Sequence, residues 1–191
     1  MTLIVGLGNP SATYEDNRHN IGFKVIDNLI DSFNARDVSK NSFLGTLHKS
    51  DNLLFLKPQT YMNLSGKSLI AVKNFYKVEI NNIIIIHDDL DLPFGAVRFK
   101  RGGGNGGHNG LKSIDSVIGK DYIRIRMGIG KPEHRSQVSD FVLSDFNIDE
   151  SRYLEKWIEY TTLASKAIIN GEELENIKSK YTIKDIKALS I

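Results

Sequence analysis

Four consecutive isoleucines, Ile83 to Ile86, leave this chain few ways to fold. A β-branched run of that length cannot be half exposed, so it predicts a central strand covered on both faces. The neighbouring segments supply what such a strand needs. Thr2 to Leu7 is an apolar run closed by Gly6, Gly8 and Pro10, which suits a short buried strand ending in a tight loop. Ile21, Val25, Ile26, Leu29, Ile30 and Phe33 then recur at helical spacing. Phe43 to His48 and Leu53 to Leu56 read as strands, and Leu69, Val72, Phe75 and Tyr76 mark a helix between Ser65 and Lys77. Ala96 to Lys100 is a further strand, Leu111 to Ile118 a short helix, and the alternation in Tyr122 to Ile129 another strand. From Asp149 one long helix, carrying Leu154, Trp157, Thr161, Ala164 and Ile168, should run until Gly171 stops it, with a helical tail to Ile191. The expected fold is α/β: a single domain over residues 1–191, with a mixed, mostly parallel twisted sheet and helices on both faces.

Composition agrees with one core. The chain has 191 residues, of which 40% are hydrophobic, within the ~100 to 200 residues typical of one domain. There is no cysteine, which excludes disulfides, thiol nucleophiles and thiolate metal sites and favours a cytoplasmic address. The amino terminus has no basic leader, and its apolar run is far shorter than the ~18 residues of a spanning helix. A soluble, unprocessed protein is expected. The net charge of +2 is too small to announce a nucleic-acid ligand. Its distribution is more informative: Arg98 to Arg135 holds nine Lys or Arg against three acids, which is either a solvated face or a patch for phosphates.

Four polar loops, "GLGNPS" with "NRHN", "QTYMNLSGK", "HDDLDLP" and "GGGNGGHNG", interrupt these elements, two of them directly after the carboxyl ends of apolar strands, where open α/β sheets gather ligands. His19 stands at a helix start, and taken alone it reads as a surface histidine; Asp88, just past the isoleucine strand, could simply cap a loop. Together, His19 and Asp88, or the neighbouring Asp89, could form a base whose tautomer a carboxylate fixes. Asn9, Asn20, Asn63 and Asn109 all lie in these loops. Singly they serve turns; converging, their neutral amides would suit a peptide backbone or a developing oxyanion.

Several signatures fail. "SGKS" has Tyr61 where a phosphate-binding loop requires glycine, and no G-x-S-x-G elbow exists. Gly102, Gly104 and Gly107 satisfy G-x-G-x-x-G, but no acid follows at a strand end about 20 residues on. In "DDLDLP", Pro93 takes the place of a calcium ligand.

In order, "VGLGNP", "RHNIGF", "PQTYMNLSGK", "HDDLDLPFG", "GGGNGGHNGLKSI" and "RIRMGIGKP" resemble bacterial peptidyl-tRNA hydrolase over nearly the whole chain. The resemblance implies hydrolysis of the ester between a peptide and the 3′ end of tRNA, which recycles tRNA from prematurely released chains. It implies a monomer whose partner is peptidyl-tRNA, with no cofactor, metal or membrane. It further implies His19 as catalytic base and Asp88 as its orienting partner; Asn9, Asn63 and Asn109 holding substrate or water; Tyr14 and Met62 flanking the peptide; and Arg98, Lys100, Arg124 and Arg126 facing tRNA phosphates. Two positions depart from the family pattern: Ser11 replaces the glycine usual after "GNP", and Asn105 stands where histidine or serine is common. A non-catalytic RNA-binding module would explain the basic segment without using His19 and Asp88. A nucleotide-dependent oxidoreductase would use only the glycine loop.

Overall fold

The structure, a computed structural model, describes residues 1–188. The isoleucine run becomes β5 (Ile83–Asp89). It lies near the middle of a seven-stranded sheet whose other members are β1 (Thr2–Gly6), β2 (Arg36–Asp37), β3 (Gly45–Ser50), β4 (Leu53–Pro58), β6 (Val97–Arg101) and β7 (Ile123–Gly128). The order is β2-β3-β4-β1-β5-β7-β6. The inner strands β4, β1, β5 and β7 are parallel, while β2, β3 and β6 add on antiparallel.

The two faces of β5 divide the core as the run demands. Ile84 and Ile86 pack with Ile4 and Phe55 beneath α1 (Ile21–Ser32), α6 (Leu154–Ile169) and α7 (Leu174–Tyr181), around the fully buried Trp157. Ile83 and Ile85 pack with Leu3, Val5 and Leu56 beneath α2 (Ser65–Tyr76) and α3 (Asn109–Ile118). Burying each such side chain is worth ~1.5–3 kcal/mol, so turning this strand to solvent on either face would be costly. The α/β fold with helices on both faces is therefore as expected.

Local differences have local causes. Asn41–Phe43 form a 3-10 turn, not the start of a strand, because the Phe43 ring folds inward against Phe75, with centroids 5.2 Å apart. The helix expected from Asp149 is two helices, α5 (Ile148–Ser151) and α6. The first is a separately capped turn: the Asn147 side chain accepts from the Glu150 amide, and the Glu150 side chain accepts from the Asn147 amide. Two elements had no legible signal. β2 is two exposed polar residues, and α4 (Val138–Val142) is too short for a helical period to show. The tail forms α7 and a 3-10 turn at Ile186–Ala188, and the end of the expected tail helix, 189–191, lies outside the described residues. Among the described residues no helix is long and apolar enough to cross a membrane.

One close approach sets the position of α1. A Cβ on Gly6 would stand 2.2 Å from the Gly22 carbonyl oxygen, and one on Gly22 would stand 2.5 Å from the Ile86 carbonyl oxygen. With both side chains absent, the first turn of α1 rests on the backbone of β1 and β5. The residues just before it, Arg18–Asn20, are thereby brought over the carboxyl end of the sheet.

Candidate active site

Neighbouring parallel strands β1 and β4 lead to helices on opposite faces of the sheet, α1 and α2, and such a switch point opens a crevice at the strands' carboxyl ends. A hydrogen bond spans this crevice: the Asn9 side-chain oxygen accepts the Met62 backbone N–H at 2.8 Å. Asn20 holds Asn9 from behind, accepting its N–H and donating to its carbonyl, both at 2.9 Å. Asn9 is thus oriented through both its backbone and its side-chain oxygen, and its side-chain nitrogen has no acceptor among the described residues. The resulting cleft, about 600 Å³, is lined by Asn9, His19, Met62, Asn63, Asp88 and Asn109 among others.

Asp88 belongs to β5 itself, paired with Met127, and not to the loop beyond it. The backbone ladder continues past the apolar run, so the carboxylate is held by the sheet. His19 Nδ1 lies 2.9 Å from both Asp88 oxygens, and His108 Nε2 lies 2.8 Å from one of them. His108 Nδ1 accepts the backbone N–H groups of Gly110 and Leu111, capping α3. Its proton must then sit on Nε2 and point at Asp88. The His19, Asp88 and His108 ligand atoms all lie within 4.8 Å, a spacing that a metal ion could also bridge. With Nδ1 occupied by two amides, however, His108 has no lone pair to offer one at Nε2.

Electrostatics follow from this packing. Burial raises the Asp88 carboxyl pKa, but the electrostatic pull of His19 and His108 and their hydrogen bonds outweigh it and hold the group well below the usual carboxylate range. His87 is buried, donates through Nδ1 to the Asp88 carbonyl and has no partner at Nε2. Burial, and after it the charge of His108, push it down to about 3. His19 also lines the cleft, and its Nε2 has no protein partner among the described residues.

Of the other residues singled out from the sequence, Met62 is buried in the cleft wall, whereas Asn63 and Asn109 are exposed at its rim. Tyr14 does not line the cleft; it stands edge-on to Tyr61, which does, with centroids 6.4 Å apart. Arg98 faces Arg126, and Lys100 faces Arg124, across the β6–β7 pair. Lys100 and Arg126 reach the cleft; Arg126 pairs with Asp89 at 2.7 Å, and Lys100 is depressed by partial burial and then by the charges of Arg126 and Arg124. Arg98 makes no ion pair among the described residues and does not line the cleft.

Arg124, expected from the resemblance to face tRNA phosphates, lines the cleft with Lys100 and Arg126 but is held from within. It is fully buried, donates to the Gly103 and Gly104 carbonyls and pairs with Asp115 at 3.1 Å. Its guanidinium fastens the glycine loop from inside. His108 went unremarked because only the asparagine of "GHNG" was singled out; its place one residue before a helix was the available signal. His87 had no signal beyond adjacency to Asp88.

Known proteins resemble this chain in sequence and fold. The sequence matches the family described as "Peptidyl-tRNA hydrolase" over residues 3–188. A peptidyl-tRNA hydrolase of Sulfurovum sp. (strain NBC37-1) is 59% identical, with 99% of this chain and 100% of the relative covered. One from Sulfurimonas denitrificans is 56% identical, covering 96% and 97%. Among solved structures, peptidyl-tRNA hydrolase from Acinetobacter baumannii superposes with a TM-score of 0.91 at 34% identity, over 97% of this chain and 96% of the other. By sequence and by fold, this chain belongs to the peptidyl-tRNA hydrolase family.

Proposed function

We propose that the chain cleaves the ester between a peptide and the 3′ end of tRNA, with water as nucleophile and His19 as general base. The observation that carries this reading is the 2.9 Å contact of His19 Nδ1 with Asp88. With the Nδ1 proton directed at a carboxylate, the lone pair resides on Nε2, which is left to act as the base. Water attacks the ester carbonyl as Nε2 removes its proton. The imidazolium, stabilised by Asp88, then returns that proton to the departing ribose oxygen. The negative charge that develops on the carbonyl oxygen is met by the free amide of Asn9, a contact of the kind worth ~3 kcal/mol in hydrolases. Asn63 and Asn109 hold the peptide backbone from two sides of the rim, and Met62 flanks its side chains, with Tyr14 acting only through Tyr61, which it backs.

Lys100, Arg126 and Arg98, neighbours on one strand pair, face the tRNA phosphates. The reaction uses no metal or cofactor and recycles tRNA in the cytoplasm, with the protein acting as a monomer. Hydrolysis of an N-blocked aminoacyl-tRNA by the wild type and by His19→Ala tests the reading. Turnover should vanish in the variant while its circular dichroism and thermal midpoint stay close to wild type. Undiminished turnover would remove His19 from the mechanism, and an inactive wild type that still binds tRNA would favour an RNA-binding module.

A further inference from the structure

Arg18 precedes His19 in the same 3-10 turn, and its side chain is only 6% exposed. A guanidinium cannot shed its charge, so its burial requires partners, and nearly all of them come from one distant stretch. Nη1 donates to the Ser144 hydroxyl at 2.7 Å and to the carbonyls of Ser144 and Asp145. Nη2 pairs with Glu150 at 2.6 Å. The plane rests over the Phe141 and Phe146 rings, 4.5 and 5.3 Å from their centroids. The backbone follows the same path: the Arg18 amide donates to Ser144, and Asn17 bridges Asp145 through its backbone and through its side chain at 2.7 Å.

That stretch is the outer wall of the cleft. Val138, Ser139, Val142 and Leu143 line the cavity, while Phe141, on the same short α4, turns its ring under Arg18. One helix therefore faces the substrate space on one side and the neighbour of His19 on the other.

We propose that Arg18 is a positioning residue that ties the setting of the His19 imidazole to the α4 wall, so that substrate seated against Val138 and Val142 acts on the geometry of the base. This inference rests on the hydrolytic reading of His19. Arg18 touches neither the cleft nor the reacting atoms, and its loss is felt through His19. A lysine keeps the charge but not the planar fork that grips Ser144, Asp145 and Glu150 together.

Steady-state kinetics on an N-blocked aminoacyl-tRNA, run for the wild type, Arg18→Lys, Glu150→Gln and the double variant, test it. Each single variant should lose at least tenfold in kcat with KM within twofold of wild type. The double variant should be no slower than Arg18→Lys, because the two residues act as one unit. Unchanged kcat, a rise confined to KM, or losses that multiply in the double variant would overturn the proposal. Should Arg18→Lys fail to fold, Glu150→Gln alone decides by the same criterion. A wild type without hydrolysis would instead overturn the hydrolytic reading itself.

Discussion

His108 and Asp88 are joined by a 2.8 Å hydrogen bond whose polarity is set from the opposite side of the ring, where two backbone amides of α3 donate to Nδ1. One imidazole thus caps a helix and holds a strand carboxylate, leaving that carboxylate free to serve His19. His108→Ala removes both contacts at once. The lost cap costs ~1 kcal/mol, and the lost hydrogen bond to a charged group ~1.5–3 kcal/mol. Urea unfolding should show a loss of ~2–4 kcal/mol with an unchanged m-value; a loss below ~1 kcal/mol would contradict the dual role.

Asp88→Asn keeps the shape and removes the charge. An amide can present its NH2 to His19 Nδ1 and so stabilise the tautomer whose Nε2 carries the proton. The expected fall in kcat is on the order of 10³- to 10⁴-fold, read on N-blocked aminoacyl-tRNA at neutral pH. A rate within tenfold of wild type would show that Asp88 does not orient the base.

His87 predicts how stability depends on pH. Its ring is held at about 3 in the fold, against an ordinary 6.5, so between those values the unfolded chain binds a proton that the folded one refuses. Stability therefore declines as pH falls from 6.5 towards 3, by up to ~1.4 kcal/mol per unit. Asp88, also depressed in the fold, adds to the decline below the usual carboxylate range of ~4. His87→Asn, which keeps a donor towards the Asp88 carbonyl, should flatten the curve between pH 6.5 and 4 in urea titrations. A slope identical to wild type would place the proton uptake elsewhere.

Ser11 adopts φ 87° and ψ 152°, backbone that glycine enters freely and that costs other residues ~1–3 kcal/mol. The glycine usual at this point of the family pattern is explained by that conformation. Ser11→Gly should relieve the strain, less the extra freedom glycine gains on unfolding, for a net gain of ~1 kcal/mol. Calorimetry would register a rise of a few degrees in Tm, and a fall would show that the serine is not strained.

The basic strand pair separates two kinds of arginine. Lys100→Ala and Arg98→Ala should each weaken tRNA binding and reduce the slope of log affinity against log salt by ~1. Arg124→Ala should destabilise the fold, because Asp115 loses its ion-pair partner and the two glycine-loop carbonyls lose the guanidinium that holds them. A wild-type affinity insensitive to salt would dismiss the phosphate assignment for the whole strand pair.

The sequence alone determined the elements whose pattern is repetitive. The isoleucine run announced a doubly covered strand, and the spacing of Ile21 to Phe33 announced α1, because burial leaves the same period in any context. It also singled out polar residues in the loops, among them His19 and Asp88, which the fold brings into contact. Tertiary structure decided what depends on distance across the chain. His19 and Asp88, 69 positions apart in the chain, close to hydrogen-bond length only because Gly6 and Gly22 let α1 rest on the sheet. Arg124, one of a basic cluster in the sequence, faces inward because β7 is covered there by the glycine loop. Arg18 and His108 carry no periodic signal at all. Their roles come from partners that the sequence does not place beside them, and only the packed fold supplies the buried environment in which those partners become obligatory.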